Sequence, residues 1–442
     1  MRFPILGRLA TVAGVAVVLL IPLSMIRDKV AERRDRAAAV QKSFAEQTTG
    51  EQVLAGPFLA LTCEETYADG REKKQRPCST GLFVPADLKV QATAHVDQRY
   101  RGIYPIHLYR AKVELSGAFA LPPQPAPGAE SARAWKDAFL VLAISDVRGI
   151  KDAAGARFGD GNYEFAPGTP YTHLRSGLHA DLGAYANLVL ESDLAFHIPL
   201  ELVGTSRLAV APVGNQTQVQ LDSGWPHPSF VGAYAPDRRE VGASGFSALW
   251  QVNHFATGGN AFWLEAAASD KLFSSPRLLG VAFVDPVNPY SMSYRATQYG
   301  FLFVLLTFAA FSLVELVWGV KLHAVQYALA GSALAVFFLL LIALSEHIGF
   351  GWAYCAAAAS CIALLAFYLS HPLGSLARTA LFGALFAALY GALYVLLQSE
   401  DHSLLLGSLL VFGLLAAVMA LTRKLDWVEL SGRLRQPLAD AP

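Results

Sequence analysis

The sequence predicts a membrane α-helical bundle of six spans joined to a large exported, β-rich, sandwich-like domain. One apolar segment opens the chain at residues 5–26, and five more close it between residues 299 and 421. Each is about 20 residues, the length a helix needs to cross hydrocarbon. Between them the sequence is more polar, and its apolar residues recur at every second position, the period of a strand. Bulk composition agrees. Of 442 residues, 54% are hydrophobic and only 16% charged, against roughly 25% charged in an average soluble chain. Lys plus Arg and Asp plus Glu both number 35, so the formal net charge is zero and nucleic acid is not an expected partner. The lipid bilayer is.

The opening segment reads as an uncleaved anchor following a short cytoplasmic stretch, residues 1–4. Arg2 and Arg8 supply the basic start that a signal peptide also has. However, Leu23-Ser24-Met25-Ile26 is not a small-x-small cleavage site, and the charged run 27–36 follows at once. Pro22 is tolerable in a transmembrane helix. Residues 27–47 lack Gly and Pro and are rich in good helix formers, so they predict a membrane-proximal helix that ends at Thr48-Thr49-Gly50.

Residues 48–298 predict the exported domain. Leu88, Val90, Ala92, Ala94 and Val96 alternate with Lys89, Gln91, Thr93, His95 and Asp97. Ala111 to Phe119, Phe196 to Leu202, and Val219 with Leu221 repeat the pattern. Such alternation describes half-buried antiparallel strands with one wet face. Gly and Pro punctuate them, notably at 121–128 and 166–170, and two packed sheets are the economical answer. Cys63 and Cys78 bracket a polar stretch of this domain. In an oxidising compartment they predict a disulfide closing a loop of about 15 residues and stabilising by about 3 kcal/mol through chain entropy. Cys355 and Cys361 fall in a span and read as packing residues.

The later spans are 299–320, 324–344, 351–370, 377–397 and 403–421, with a tail at 422–442. Short loops imply antiparallel neighbours. Ala387-x-x-x-Gly391 is the small-residue pattern that lets helices approach closely. Lys321, Arg378, Arg423, Lys424, Arg433 and Arg435 fall on alternate turns, while loops 345–350 and 398–402 carry no Lys or Arg. The positive-inside rule then puts both termini in the cytoplasm and the large domain outside. The basic cluster Arg27, Lys29, Arg33, Arg34 and Arg36 lies outside, against that rule.

No common catalytic signature is present: no His-Glu-x-x-His, no Walker loop and no Gly-x-Ser-x-Gly elbow. Two constellations remain. Ser345-Glu346-His347 follows the third span, and Gln398-Ser399-Glu400-Asp401-His402 precedes the sixth. Both fall at the outer boundary, where Glu346, His347, Gln398, Glu400, Asp401 and His402 suit a divalent metal or a proton relay. The plainer alternative is that interfacial loops are polar anyway and cap helix ends. The second is the exported loop Ser223 to Phe230, with Trp225, His227 and Phe230 facing a ligand. Its plainer alternative is a Pro-stiffened corner whose aromatics cap a sheet. Glu315, inside the second span, reads as structural pairing, and Trp318, Trp352 and Trp427 as interfacial anchors.

These residues resemble the CreD family of bacterial inner-membrane proteins, also described as colicin-tolerance proteins. The resemblance covers nearly the whole chain. It rests on Ile21-Pro22-Leu23, Gly56-Pro57, the Trp225–Phe230 run and, most specifically, four stretches nearer the C-terminus. Those are Gln298-Tyr299-Gly300, His323-Ala324-Val325-Gln326-Tyr327, Leu344 to Phe350 and Leu396 to Asp401. The Cys63–Cys78 insert and the Pro-rich stretch lie outside the family pattern. The resemblance implies an envelope-stress regulon headed by a two-component system, an altered β-lactam response and colicin tolerance. It carries over no catalytic residue and no cofactor, and it leans away from an enzyme. Two functions are therefore expected: envelope maintenance through an exported domain that binds an envelope component, or a membrane-embedded enzyme or transporter using the Glu/His/Asp cluster.

Overall fold

The computed structural model describes residues 4–423, apart from 70–71, 127–130, 153–154, 172–173, 175, 191–193, 269–270, 286–287, 319, 321 and 400–402. The chain forms two compact units, Ala39–Pro286 and, together, Met1–Ala38 with Val287–Pro442. Helix α1 (Pro4–Gln47) opens the chain and ends where Thr48 Oγ1 donates to the carbonyl of Phe44 at 2.7 Å.

The Ala39–Pro286 unit is a sandwich of two sheets. The first contains β1 (Gln52–Asp69), β2 (Glu72–Phe83), β5 (Ser131–Ile144) and β9 (Ala166–Pro167). It also contains β10 (Gly177–Ala184), β12 (Arg207–Ala211), β14 (Pro228–Gly232) and β17 (Leu279–Phe283). Its order is β14-β17-β12-β1-β5-β10-β9, with β2 also on β1. The second contains β3 (Asp87–Arg101), β4 (Tyr104–Ala118), β6 (Ile150–Asp152), β7 (Ala156–Phe158) and β8 (Gly161–Tyr163). It is completed by β11 (Ala195–Thr205), β13 (Gln216–Ser223), β15 (Arg238–Gly242) and β16 (Gly245–Asn253). Its order is β15-β16-β13-β3-β4-β11-β7-β8, with β6 also on β11. Short helices α2 (Tyr185–Leu190), α3 (His254–Thr257) and α4 (Asn260–Ala268) lie between strands.

Two pairings depart from the antiparallel expectation. β1 runs parallel to β12, and β3 parallel to β13. Along one flank of β1, β12 lies beside Gln52 to Ala55 and β2 beside Leu59 to Asp69. The chain leaves both for the second sheet, where it continues as the adjacent β3 and β13. The two crossings hydrogen-bond to each other, Asn215 N–H to Pro85 O and Gln216 N–H to Ala86 O, both at 3.0 Å.

One core joins the sheets. Tyr109 on β4 and Phe246 on β16 both pack on Phe283 of β17, with ring centroids 5.1 and 6.4 Å apart. The second sheet buries alternate residues, as β3 and β13 show. The first sheet instead buries continuous runs, such as Ala138 and Leu140 to Ile144 on β5, because it is covered on both faces; α2 packs against β5 and β10. At Gly56, φ is +119° and the following bond to Pro57 is cis. There β1 shifts register against β5. Only glycine adopts that φ without strain.

Beyond the core, β1 carries a paired cross-link. Cys63 and Cys78 are directly opposite on β1 and β2 and are joined by a disulfide. Two residues on, Glu65 faces Arg76 on β2 and Arg133 on β5. It accepts from Arg76 Nε at 2.8 Å, Arg133 Nε at 3.0 Å and Ser131 Oγ at 2.5 Å. The Ser131 and two arginine hydrogen bonds hold its carboxyl down at about 2, from an ordinary 4.5. A depressed carboxyl contributes stability above its unfolded value and loses it as pH falls through its folded value. Acid unfolding of wild type between about pH 4.5 and 2 is therefore expected to be steeper than that of Glu65→Gln, read by circular dichroism. Equal slopes would remove this role.

The second unit is helical. It contains α5 (Pro289–Gln298), α6 (Gly300–Trp318), α7 (Ala324–Ile348), α8 (Phe350–Leu373), α9 (Leu376–Gln398) and α10 (Ser403–Thr422), with the first part of α1. Residues 289–298, expected within the exported domain, instead form a helix of this unit. Asn288 starts it, its Oδ1 accepting from Tyr290 N–H and Ser291 N–H. α5 and α6 meet at a 53° bend. Among the described residues, four helices are long and apolar enough to cross a membrane: α1 from Ala10, α7, α8 and α9. The bent α5–α6 pair makes a fifth if it counts as one span. Four or five of the six expected spans are thus found among the described residues: the second, 299–320, begins at the bend, and in α10 the described apolar stretch is Leu405–Ala420.

Aromatic rings fill the bundle interior. Phe303 stacks on Phe337 at 5.8 Å and meets Tyr390 edge-on at 5.7 Å, and Phe311 meets Phe382 and Phe386. Close helix approach occurs at Gly331, where a Cβ would run into Leu19 of α1. The expected Ala387-x-x-x-Gly391 pattern does not do this. Gly391 has nothing within 4 Å of its Cβ position among the described residues.

Candidate functional site

The candidate site lies in the helical unit, where α7 ends. Glu346 sits in the last turn of α7 with its side chain only 10% exposed. Arg33 of α1 approaches it, Nη1 to Oε1 at 3.7 Å, beyond hydrogen-bonding distance. Oε1 is buried and has no hydrogen-bond partner among the described residues. Next to Arg33, the Arg34 guanidinium lies over the Tyr294 ring of α5 at 4.3 Å. The basic run 27–36, expected against the positive-inside rule, thus has partners in the fold. Lys29 pairs with Glu32 at 2.8 Å as well.

Helix α5 touches both predicted loops. Ser293 Oγ lies 3.5 Å from Ser345 Oγ, and both residues are buried. Arg295 Nη2 reaches Ser399 O at 3.5 Å, just past α9. Gln398 donates to Tyr394 Oη at 2.7 Å, and the Tyr394 ring packs on Tyr354 at 5.0 Å. His347 is exposed, one residue round the helix from Glu346. Glu400, Asp401 and His402 lie outside the described residues. Among the described residues no group of three or more His, Cys, Asp or Glu could hold a metal ion. What the arrangement offers is one buried carboxylate with a cation on a long stem beside it, a pair able to separate. Arg33, Ser293, Tyr294 and Arg295 were not among the sequence candidates. The one signal for Arg33 was a basic run that the expected topology sets against the positive-inside rule, which calls for a carboxylate partner.

At the other end of α6, Glu315 accepts from Leu322 N–H and Tyr327 Oη, both at 3.2 Å. This closes the α6–α7 turn and is structural pairing. Lys321 lies outside the described residues.

In the sandwich, Trp225 forms a corner: its Nε1 donates to His227 O and Val284 O, each at 3.2 Å. His227 is exposed, with its ring edge-on to Trp225. Phe230 packs on Trp250 and Phe246 between the sheets. The corner covers a histidine that was not a sequence candidate. His107 on β4 is buried, its ring 4.9 Å from that of Trp225 and its Nε2 3.4 Å from Asp285 Oδ2.

The profile of the family described as inner membrane protein CreD matches residues 4–428. The chain is also 32% identical over 437 residues to inner membrane protein CreD of Escherichia coli (strain K12), covering 98% of this chain and 95% of that protein. This chain belongs to the CreD family. It is a multi-pass inner-membrane protein.

The CreD-type motifs fall at junctions. Gln298-Tyr299-Gly300 makes the bend between α5 and α6, where Tyr299 N–H returns to Arg295 O. His323 to Tyr327 starts α7, with Gln326 Oε1 accepting from His323 N–H at 2.9 Å, and supplies the Tyr327 hydroxyl to Glu315. Leu344 to Phe350 ends α7 at Gly349, where φ is +75°, and carries Glu346.

Proposed function

We propose that this chain is an inner-membrane envelope-maintenance protein whose β-sandwich is periplasmic and binds an envelope component, with the helices as its anchor. Its setting is the envelope-stress response, with effects on β-lactam response and colicin tolerance. The observation that supports it best is that the sandwich closes a hydrophobic core of its own, in a chain that also carries helices fit to cross a membrane. A domain that buries its own core is available for binding instead of for packing the spans. Both termini are cytoplasmic in this reading, on the six-span count. Reporter fusions or cysteine accessibility at Gly128 should report outside, and at Lys321 and Gln436 inside. An exported tail would overturn the orientation.

A second reading is supported by the buried Oε1 of Glu346. A carboxylate without a donor near hydrocarbon is costly, and intramembrane ionisable groups mark proton or ion pathways. In that reading Glu346 handles the proton or ion, with Arg33 as its countercharge, in transport or in a membrane-embedded reaction.

A further inference from the structure

Among the described residues, the second sheet carries a polar cleft of about 440 Å³ on its solvent face, away from the Trp225 corner. Its floor is built from three adjacent strands in register. One row is Asp87, Gln216 and Asn253; the next is Lys89, Gln218 and Gln251. Leu88, Val90, Val219 and Val252 alternate with them and point into the core, so the amides are forced outward. Asp237 closes one side, its Oδ2 accepting from Gln251 N–H at 2.6 Å.

The amide side chains of Gln216, Gln218 and Gln251 make no hydrogen bond among the described residues. Each presents two donors and an acceptor. They form a grid spaced about 4.8 Å across strands and about 6.8 Å along them. That grid is ring-sized, and its groups match ligands whose polar atoms both donate and accept. With Asp87 and Asp237 against Lys89, the cleft carries no field that would gather a polyanion. Beyond Asn253, whose Oδ1 caps α3 at Ala256 N–H, Phe255 stands 82% exposed with the His254 ring 4.0 Å away. Phe255 follows two residues after Asn253, which lines the cleft, and an exposed flat aromatic so close in the chain would add one apolar surface to many hydrogen-bonding groups.

We infer that this cleft binds an uncharged glycan, its hydroxyls or acetamides on the Gln216–Gln218–Gln251 grid and one sugar face on Phe255. The inference rests on the reading of the sandwich as an envelope-binding domain and names its ligand class. Two sources share this chemistry, acetamido-sugar chains and plain hexose chains.

The test is a calorimetric titration of the full-length protein in a detergent without a sugar headgroup, since alkyl maltosides would compete. The probes are a β-1,4-linked N-acetylglucosamine tetrasaccharide and the corresponding glucose tetrasaccharide. Saturable binding of either supports the site, and the tighter probe names the source. Gln218→Ala, Gln251→Ala and Phe255→Ala should each weaken binding about tenfold. Phe255→Trp should retain it, and thermal unfolding should be unchanged because these side chains face solvent. Absence of saturable binding, or full binding by the triple alanine variant, overturns the glycan site. A photo-cross-linker at Glu240 in cells separates the two levels. Envelope adducts without oligosaccharide binding remove the glycan alone, and neither signal removes the envelope-binding reading as well.

Discussion

Glu346→Gln is expected to abolish complementation of a strain lacking its own CreD-type protein, while protein abundance and melting temperature stay at or above wild type. The carboxylate is nine-tenths buried, and its Oε1 has no hydrogen-bond donor among the described residues. Leaving such a group unsatisfied costs about 1–3 kcal/mol. Its ion pair is with Arg33, a side chain 48% exposed, and solvent-screened pairs return about 0–1 kcal/mol. The amide keeps the shape and drops the charge, so stability should not fall. Arg33→Gln should lose function in the same way. A destabilised bundle would lower abundance, which separates a working group from a folding defect. Wild-type complementation by both variants would sink the site and leave the sandwich as the seat of function.

Trp250→Ala is expected to produce the largest stability loss, about 3–5 kcal/mol, read as a lowered unfolding midpoint and faster proteolysis. Trp250 is 1% exposed on β16, packs on Phe230 and donates its indole N–H to Tyr234 O at 3.1 Å. Alanine leaves a cavity between the sheets and strips that carbonyl of its donor. Abundance in cells should fall with it, unlike for Glu346→Gln. An unchanged midpoint would mean that the sheets do not share the core described above.

The second sheet was legible because only one of its faces is buried. Leu88, Val90, Ala92 and Ala94 alternate with polar neighbours, and the structure buries those four. The first sheet was not. On β1 and β5 both faces are covered, so the strand period vanishes into apolar runs. The parallel pairings were also hidden, since each joins strands far apart in the chain, as where Gln52 meets Leu208. In the bundle, length and composition located the spans but not the bend at Tyr299, which joins α5 to the start of one expected span. At the candidate site the sequence named Glu346 and Gln398. It missed Arg33, Tyr294 and Arg295, because only tertiary packing brings α1 and α5 to the end of α7.

The side-by-side crossings also govern when the sandwich can fold. Leu54 pairs with Val210, and the neighbouring β12 is completed on its other side by Leu279 to Ala282 of β17. One flank of β1, Gln52 to Ala55, therefore waits for its partner until β12, and for the completed sheet until β17, when almost the whole domain has been synthesised. Such long-range closure is slow and prone to aggregation.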